Sequence, residues 1–408
     1  MKVCVIGAGI IGCATAYQLA RQGCEVQLID AAHAPGLATS YANGAQLSYS
    51  YVEPFASPAT LRALPGLLLA RGSAVRFHPR WDWRQWAWGL QFLRACTARQ
   101  SLWGTAQLLQ LAQASRATLA QWMQDERWDF GFAENGKLVL CPTAASLRQQ
   151  ERQVRLLAGM GCRQEVLAMR ECLDREPALR GAMALQFAGG VWTHDECVGD
   201  PHRLCLDLAA SVRRMGGTLS LGVQAQGFVR EGTRVVALQT GAGDIAADAF
   251  VLACGPRAPA LATALGLRLP IEPIKGYSIT VPFRAGVHRP RASVTDLARK
   301  TVFAPLGGRL RVAAMAEVGA TGLSVAPARV QAMVDAVAQT YPGLCALDDP
   351  VVWAGLRPAT PTSVPIVGRW RNSNVYLNVG HGALGLTLAA GSAAALSQQM
   401  SQQMLRPH

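Results

Sequence analysis

The feature that most constrains this chain is a glycine motif near its amino end, Gly7-Ala8-Gly9-Ile10-Ile11-Gly12. A short β-branched run precedes the motif, and residues 14–22, which have helical composition, follow it. In this setting the first glycine permits a tight turn, the second lets backbone approach a pyrophosphate, and the third allows close packing of helix on strand. The pattern predicts a βαβ unit whose helix presents its amino end to a dinucleotide.

A carboxylate stands where a dinucleotide site of this kind uses one. Asp30 follows the second predicted strand, residues 26–29, and lies eighteen residues after Gly12. From that position its side chain can accept a hydrogen bond from a ribose hydroxyl. Asp30 is therefore a predicted cofactor-binding residue.

Two later glycine elements favour a flavin dinucleotide over a nicotinamide one. Cys254-Gly255-Pro256 follows a predicted buried strand, and residues 380–385 precede a predicted helix at 385–404. Nicotinamide-dependent enzymes usually keep the binding unit contiguous, whereas here its parts are hundreds of residues apart. A helix that begins at a late glycine turn can direct amide N–H groups at the pyrimidine edge of a flavin, where negative charge builds up on reduction.

Length and composition limit the remaining possibilities. The 408 residues suggest two domains, and 50% hydrophobic against 16% charged residues excludes disorder as the main state. The 11 Cys include no C-x-x-C pair, so neither a disulfide framework nor a thiolate metal site is predicted. The amino end has no recognisable secretory signal, and we therefore expect a reducing, cytoplasmic location.

Positive charge is concentrated in one segment. The net charge is +13, and residues 61–103 hold seven Arg against Asp82 alone, with five of the 10 Trp. This composition is typical of a segment on an anionic membrane surface, which would make the protein peripheral on the cytoplasmic face of the inner membrane. A tryptophan-rich helix packed on the protein, with Arg on its wet face, explains it equally well. Nucleic acid is not an expected partner, because the charge is not spread over a broad polar face.

Periodicity predicts the remaining elements. Residues 374–405 contain no Asp, Glu, Lys or Arg, but their glycines and Gln pairs favour a buried helix over a membrane span. Helices are also expected at 200–215 and 326–339, and two more around a strand at 137–141. Further strands are expected at 185–192, 218–222, 225–229, 234–239, 249–253, 271–283, 301–315 and 375–379.

Separated elements along nearly the whole chain together resemble the FAD-dependent glycine/D-amino-acid oxidase (DAO) family, and within it the bacterial D-amino-acid dehydrogenases. The matching elements are residues 7–12, Thr39-Ser40 with Ala42-Asn43 and 46–48, Asp195-Glu196 with Gly199-Asp200, 251–256, Lys275-Gly276-Tyr277-Ser278, Met315-Ala316-Glu317, 355–358 with Thr360-Pro361 and 365–368, and Asn378 with 380–382. The combination is specific, although no single element would be.

The resemblance implies an α/β fold with two domains. A Rossmann-like FAD-binding domain would be built from discontinuous segments, and an α+β substrate domain would be built on an antiparallel sheet. The boundaries that we predict are 1–57, 185–270 and 350–408 for the FAD-binding domain, and 58–184 and 271–349 for the substrate domain, with 61–103 as the membrane-surface excursion.

The resemblance also implies roles for individual residues. Arg357 is expected to pair with a substrate carboxylate, which suits a guanidinium fork better than Lys. Tyr277 is expected near the substrate, although a sheet tyrosine with a satisfied hydroxyl fits nearly as well. His381 is expected to pack against the flavin rather than act as a base. The expected binding residues for non-covalent FAD are Gly7, Ala8, Gly9, Ile10, Ile11, Gly12, Asp30, Ser40, Asn43, Gly44, Gln46, Cys254, Gly255, Gly380, His381, Gly382, Gly385 and Thr387, and no metal is expected.

The chain departs from the family pattern at two loops. Relatives carry Ala-Asn-Ala-Gly-Gln where this chain has a glycine–alanine exchange at Gly44-Ala45, preceded by Tyr41 in place of a small residue. After Thr360-Pro361 relatives often have Asp-Gly, whereas Thr362-Ser363 stands here. Because both loops face cofactor or substrate in the family, the departures bear on the side-chain preference.

The reaction implied by the resemblance is oxidation of an amine α to a carboxylate. Hydride would pass from Cα to flavin N5, and the imino acid would hydrolyse to a 2-oxo acid and ammonia. A quinone or another carrier, rather than mainly O2, would reoxidise the flavin. Oxidation of a secondary amine, such as a proline-, hydroxyproline- or sarcosine-like imino acid, is the alternative substrate chemistry. A non-catalytic or tRNA-modifying flavoprotein and an FAD-binding subunit of a larger dehydrogenase are the alternative classes.

Overall fold

The computed structural model describes residues 1–69, 75–180, 186–371 and 373–404. Its helices are α1 (Ile10–Arg21), α2 (Pro58–Leu69), α3 (Trp83–Ala95), α4 (Ala98–Asp125), α5 (Ala144–Ala158), α6 (Met169–Arg175), α7 (Pro201–Arg214), α8 (Ala258–Thr263), α9 (Pro327–Thr340) and α10 (Gly385–Met404). Its strands are β1 (Lys2–Ile6), β2 (Glu25–Asp30), β3 (Gln46–Leu47), β4 (Val75–Phe77), β5 (Lys137–Cys141), β6 (Gln164–Leu167), β7 (Gly189–Thr193), β8 (Cys197–Val198), β9 (Thr218–Leu221), β10 (Ala225–Glu231), β11 (Arg234–Thr240), β12 (Ile245–Ala246), β13 (Ala249–Leu252), β14 (Glu272–Pro282), β15 (Ser293–Asp296), β16 (Thr301–Leu306), β17 (Arg309–Val318), β18 (Val351–Ala359), β19 (Ile366–Arg369) and β20 (Val375–Val379).

The predicted βαβ unit is formed by β1, α1 and β2, with β1 and β2 parallel. Gly7 has a φ of +110°, a conformation that favours glycine, and its N–H donates to the Ile29 carbonyl at 2.7 Å. A Cβ on Gly12 would lie 1.6 Å from the Gly7 carbonyl oxygen. The tight turn and the close approach of α1 to it therefore both require glycine.

The βαβ unit lies in a six-stranded sheet assembled from distant parts of the chain. The strand order is β19-β20-β13-β1-β2-β9, and all pairings are parallel except that of β19 with β20. On one side α1 packs against α7 and α10, and α10 also packs against α4. This sheet confirms that the Rossmann-like part of the fold is discontinuous in sequence.

A second, larger sheet carries the rest of the fold. Its order is β18-β14-β17-β16-β15-β5-β7-β6, with β4 added to β17. Most pairings are antiparallel as expected, but β15 with β5 and β17 with β4 are parallel. The residues that form β7 and β18, which we assigned to the FAD-binding domain, pair within this second sheet. Both strands thus belong to the second sheet, although the boundaries predicted at 185 (a residue outside the described part of the chain) and 350 put them in the FAD-binding domain.

Helix α10 is packed inside the protein, as its glycines and glutamines suggested. Leu388, Ala393 and Leu396 are completely buried in the core that α1 and α4 share. In the described parts of the chain we find no helix with both the length and the apolar character needed to cross a bilayer.

Candidate active site

A cavity of about 1300 Å³ opens at the carboxyl ends of β1, β2 and β13 and extends to the second sheet. It is larger than the roughly 300–1,000 Å³ of ordinary small-ligand pockets, so a dinucleotide and a small substrate can share it. The predicted site residues that line it are Gly7, Gly9, Ile10, Ile11, Asp30, Ser40, Asn43, Gly44, Gln46, Cys254, Gly255, Arg357, His381, Gly382, Gly385 and Thr387. Four predicted residues do not line it, namely Ala8, Gly12, Gly380 and Tyr277.

At one end of the cavity, Asp30 holds the glycine loop in place. One of its carboxylate oxygens accepts the Ala8 N–H at 2.6 Å, and the other accepts the Ala32 N–H at 2.7 Å. The Ile10 N–H, at the amino end of α1, donates to Ser40 Oγ at 3.0 Å. Each oxygen of Asp30 has a further lone pair, so a ribose hydroxyl can still donate to it. Ala8 thus contributes to the loop through its backbone.

In the middle of the cavity, the amino end of α10 meets the loop around Ser48. The Ser48 N–H donates to Thr387 Oγ1 at 2.9 Å, and Thr387 lines the cavity in the first turn of α10. This places the positive end of the helix dipole beside the cavity. The arrangement suits a group on which negative charge develops.

Two side chains in this part of the wall bear on whether a flavin fits. His381 is 2% exposed, its Nε2 has no hydrogen-bond partner among the described residues, and burial lowers the pKa of His381 to about 3. Burial raises the pKa of Cys254 to about 12, so the thiol is neutral and a poor nucleophile. The unpartnered, neutral nitrogen of His381 and the amino end of α10 fit the polar edge of the isoalloxazine ring of FAD. The glycine loop fits the pyrophosphate of the same cofactor.

At the other end of the cavity lies Arg357, on β18. Its Nη1 donates to the Met315 carbonyl at 3.4 Å, and in the described part of the chain it pairs with no acidic side chain. Burial lowers the pKa of Arg357. The guanidinium lies over Gly276 of the adjacent strand β14, where a Cβ would be 2.3 Å from Nη2. Gly276 thus leaves the space that the guanidinium occupies.

Tyr277 does not reach the cavity, contrary to the prediction. Successive residues of a strand face opposite sides of a sheet, so Tyr277 points away from the side on which Gly276 supports Arg357. It is 3% exposed within a hydrophobic cluster. Its hydroxyl bonds to Glu317, and burial is the main reason that the pKa of Tyr277 rises to about 12. The structure thus matches the other interpretation of this tyrosine, a satisfied sheet residue.

The cavity wall also contains ionisable residues that the sequence analysis missed, Glu53 and Lys137 among them. The Lys137 ammonium donates to Ser48 Oγ at 3.1 Å and lies 4.3 Å from the ring centre of Tyr51. Burial lowers the pKa of Lys137 to about 8. A lysine at the start of the apolar strand β5 was the signal that could have found it. Nothing in the sequence distinguished Glu53 from a surface acid.

Two residues in the departing loops adopt a left-handed backbone conformation. Ala45 has a φ of +56° and Ser363 a φ of +66°, and both stand at positions where the family pattern described above has, or often has, glycine. The Ala45 N–H donates to Asn43 Oδ1 at 2.8 Å, and Ser363 Oγ accepts the Phe55 N–H at 2.9 Å. Non-glycine residues in this conformation are strained and persist only where their surroundings hold them.

Comparison with known proteins agrees with the geometry. A family described as "DAO: FAD dependent oxidoreductase" matches residues 2–399. D-amino acid dehydrogenase 2 of Pseudomonas aeruginosa is 42% identical over 405 residues, which cover 98% of this chain and 95% of that protein. The protein of the same name from Ralstonia nicotianae is 42% identical over 412 residues, covering 98% and 97%. Among solved structures, glycine oxidase from Geobacillus kaustophilus superposes with a TM-score of 0.77 at 20% identity, covering 98% of this chain and 94% of that one.

Proposed function

Since this chain belongs to the DAO family of FAD-dependent oxidoreductases, we propose that it oxidises D-amino acids to 2-oxo acids and ammonia. FAD is its cofactor. The observation that carries the proposal is the Arg357 guanidinium, which faces the cavity without an acidic partner in the described part of the chain. A half-buried cation that is shielded from bulk water is costly unless an anion joins it, and a substrate carboxylate is such an anion. The names of the relatives at 42% identity support the D configuration.

Arg357 would orient the substrate through its carboxylate. The guanidinium offers two parallel N–H donors, the Met315 carbonyl fixes its position from one side, and Gly276 leaves room for it from below. When bound, FAD supplies the acceptor for the hydride that leaves Cα. The chain's contribution to that step is to hold Cα in place and to exclude other orientations.

The residues around the middle of the cavity would stabilise charge rather than move protons. The amino end of α10, with Thr387 tied to Ser48, favours a negative charge in front of it. His381 stays neutral at physiological pH because burial lowers its pKa to about 3, and it is then a poor base. These features support a mechanism in which the substrate amine loses its proton before oxidation.

Anaerobic reduction of the purified holoenzyme by single amino acids tests the proposal. D-alanine, D-methionine and other D-amino acids should bleach the flavin absorbance band, and their L-enantiomers should not. The panel should include D-proline, L-proline and sarcosine, because secondary amines are the alternative substrates. If a secondary amine reduced the flavin while every primary D-amino acid failed, the proposal would be wrong.

We further propose that the electrons pass to a membrane quinone and that an aromatic face of the protein contacts the bilayer. This face comprises Phe77, Trp81, Trp83 and Trp86, with Arg76 and Arg84 beside them. Trp81 is 108% exposed, Trp83 57% and Trp86 55%. So much adjacent aromatic surface is unfavourable in water and typically marks an interaction site. Tryptophan beside arginine suits the interface of an anionic membrane.

The opposite side of α3 packs against the protein. Trp88 and Phe92 are buried there, and Trp88 Nε1 donates to the Ala359 carbonyl at 2.9 Å. The segment therefore contains both a packing face and an exposed face. Arg80 belongs to the packing face, because its guanidinium donates a hydrogen bond to Glu272 Oε1 at 2.7 Å. Arg71, which also belongs to the predicted basic segment, lies outside the described residues.

Binding to vesicles tests the aromatic face. Changing Arg76 and Arg84 to Gln together with Trp81 to Ala should weaken binding to vesicles with anionic lipid and slow reduction of a membrane quinone analogue. Reduction of a soluble dye should be retained. If the parent protein does not bind anionic vesicles, this part of the proposal fails.

A further inference from the structure

The cavity contains two acidic residues in its described lining, Asp30 and Glu53. Asp30 already accepts hydrogen bonds from the N–H groups of Ala8 and Ala32. Glu53 forms no hydrogen bond or ion pair with any residue that the structure describes. Its side chain is accessible and contributes to the cavity wall. Glu53 is thus an unpaired anion in the same cavity as the unpaired cation Arg357.

The backbone on both sides of Glu53 is fixed. Before it, the N–H groups of Ser50 and Tyr51 donate to Glu196 Oε1 at 2.8 and 3.2 Å. After it, the Phe55 N–H donates to Ser363 Oγ at 2.9 Å. These anchors, with Val52 and Pro54 buried on the other side of the segment, hold the Glu53 side chain on the cavity side.

The surroundings of Glu53 leave its charge incompletely balanced. Although part of the Glu53 side chain is accessible, the surrounding cavity walls keep its carboxylate from bulk water and so raise its pKa, and the positive charge of Lys137 only partly offsets this. Lys137 is itself hydrogen-bonded to Ser48 and also faces the buried Glu196. A cation from a ligand would therefore be favourable beside Glu53. That cation is not the α-amine of a substrate, because a carboxylate beside the amine would keep it protonated and unable to be oxidised.

We propose that Glu53 selects D-amino acids with a cationic side chain, an ammonium or a guanidinium, whose far end it binds while Arg357 binds the carboxylate. This inference rests on the proposed oxidation of D-amino acids and names the class of substrate. Ser363 is a positioning residue in this arrangement, since it anchors the segment through Phe55.

The test compares substrates that differ only in the terminal charge, D-lysine and its uncharged analogue D-norleucine. Parent enzyme should prefer D-lysine in kcat/KM of flavin reduction by about tenfold or more, the effect of one hydrogen bond to a charged group. Glu53→Gln should bring the ratio close to one. Glu231→Gln, which removes an exposed acid on the β10–β11 hairpin, should keep the parent ratio. A parent ratio near one, or a ratio that Glu53→Gln leaves unchanged, would overturn the proposal.

A binding measurement separates this proposal from the proposed function. 6-Aminohexanoate and hexanoate carry the carboxylate but no α-amine, so neither can be oxidised, and their dissociation constants can be read from perturbation of the flavin spectrum. The parent should bind 6-aminohexanoate about tenfold more tightly, and Glu53→Gln should abolish the difference. If the difference is present but no D-amino acid reduces the flavin, the proposed function fails and the site for a cation stands. If D-amino acids react but the difference is absent, only the role of Glu53 fails.

Discussion

Backbone groups form one end of the cavity, and side chains form the other. The end at β1, α1 and β2 consists mainly of backbone, with Gly7 and Gly9 at the turn and the Asp30 carboxylate holding the loop by its N–H groups. The end at β14, β17 and β18 depends on a side chain, Arg357, which a residue of one neighbouring strand binds and a glycine of the other leaves room for. A site made of backbone depends on conformation within one short segment, whereas a site made of side chains depends on which strands pair.

The largest effect is expected at the side-chain end, from Arg357→Lys. Lys cannot form the two parallel hydrogen bonds, and one partner of a buried charge pair would be lost at a cost of about 2–5 kcal/mol. We expect kcat/KM for a D-amino acid to fall by roughly 30- to several-thousand-fold, with FAD retained. Flavin reduction at saturating substrate should also slow, because Cα is misplaced.

The control for Arg357 is the decarboxylated amine that corresponds to the substrate. It should be poor for the parent and about equally poor for the variant. A variant within threefold of the parent on the D-amino acid would remove Arg357 from the proposed role.

Gly276→Ala should impair the same part of the site indirectly, by displacing the Arg357 guanidinium. The new Cβ would lie 2.3 Å from Nη2 of Arg357, so the guanidinium has to shift. A displacement of about 1 Å costs on the order of 100-fold in catalysis, and we expect a loss of that order in kcat/KM for a D-amino acid. Gly308→Ala, where nothing lies within 4 Å of the new Cβ, is the matched control and should behave as the parent. An equal loss in both variants would mean that the effect is not exerted through Arg357.

At the backbone end, Asp30→Asn should weaken FAD binding by roughly tenfold or more. The amide can accept at only one of the two positions where the carboxylate now accepts from Ala8 and Ala32, and it also loses a charged acceptor for ribose. Equilibrium titration of apoprotein with FAD, followed by flavin fluorescence, measures the change. If the affinity is unchanged, Asp30 has neither role in cofactor binding.

The smallest effect should come from exchanging Gly44 and Ala45. Glycine at 45 relieves a residue whose φ is +56°, and a Cβ on residue 44 makes ordinary contact with Ala313 at 3.5 Å. The double exchange should raise stability by about 1 kcal/mol, seen as a higher melting temperature. Ser363→Gly relieves the same kind of strain but removes the oxygen that accepts the Phe55 N–H, so it should gain less. A larger gain at 363 than at 44–45 would contradict the anchoring role of Ser363.

The same contrast explains which parts of the fold and of the site could be predicted from the sequence. The βαβ unit, the strand at 249–252 and helix α10 were predictable because glycine spacing and apolar periodicity are local signals. Arg357 was found only through the resemblance to a known family, since nothing local distinguishes it. Tyr277 was misplaced because the side of the sheet that a residue faces depends on register, and β14 and β17 shift register between Lys275 and Tyr277.

Two residues of the cavity wall were missed, Glu53 because it has no local signal and Lys137 because its place at the start of an apolar strand does not show where that strand lies. Glu53 and Lys137 reach the cavity only because the segment after β3 and the strand β5 are brought to it by the fold. The strain at Ala45 and Ser363 was also invisible, although both departures from the family pattern had been noticed. The sequence shows only that these two residues differ from the family pattern. The positive φ of each residue in the structure shows that the difference strains the backbone.

The pairing of β1 with β13 has a consequence for biosynthesis. β1 emerges from the ribosome about 245 residues before its neighbour β13, which at roughly 5–20 residues per second is a delay of some ten to fifty seconds. Through that time one edge of β1 has no partner, and α10, whose first turn lines the cavity, is made later still. We therefore expect the nascent chain to depend on chaperones until its last strand is released, and FAD to be acquired after translation rather than during it.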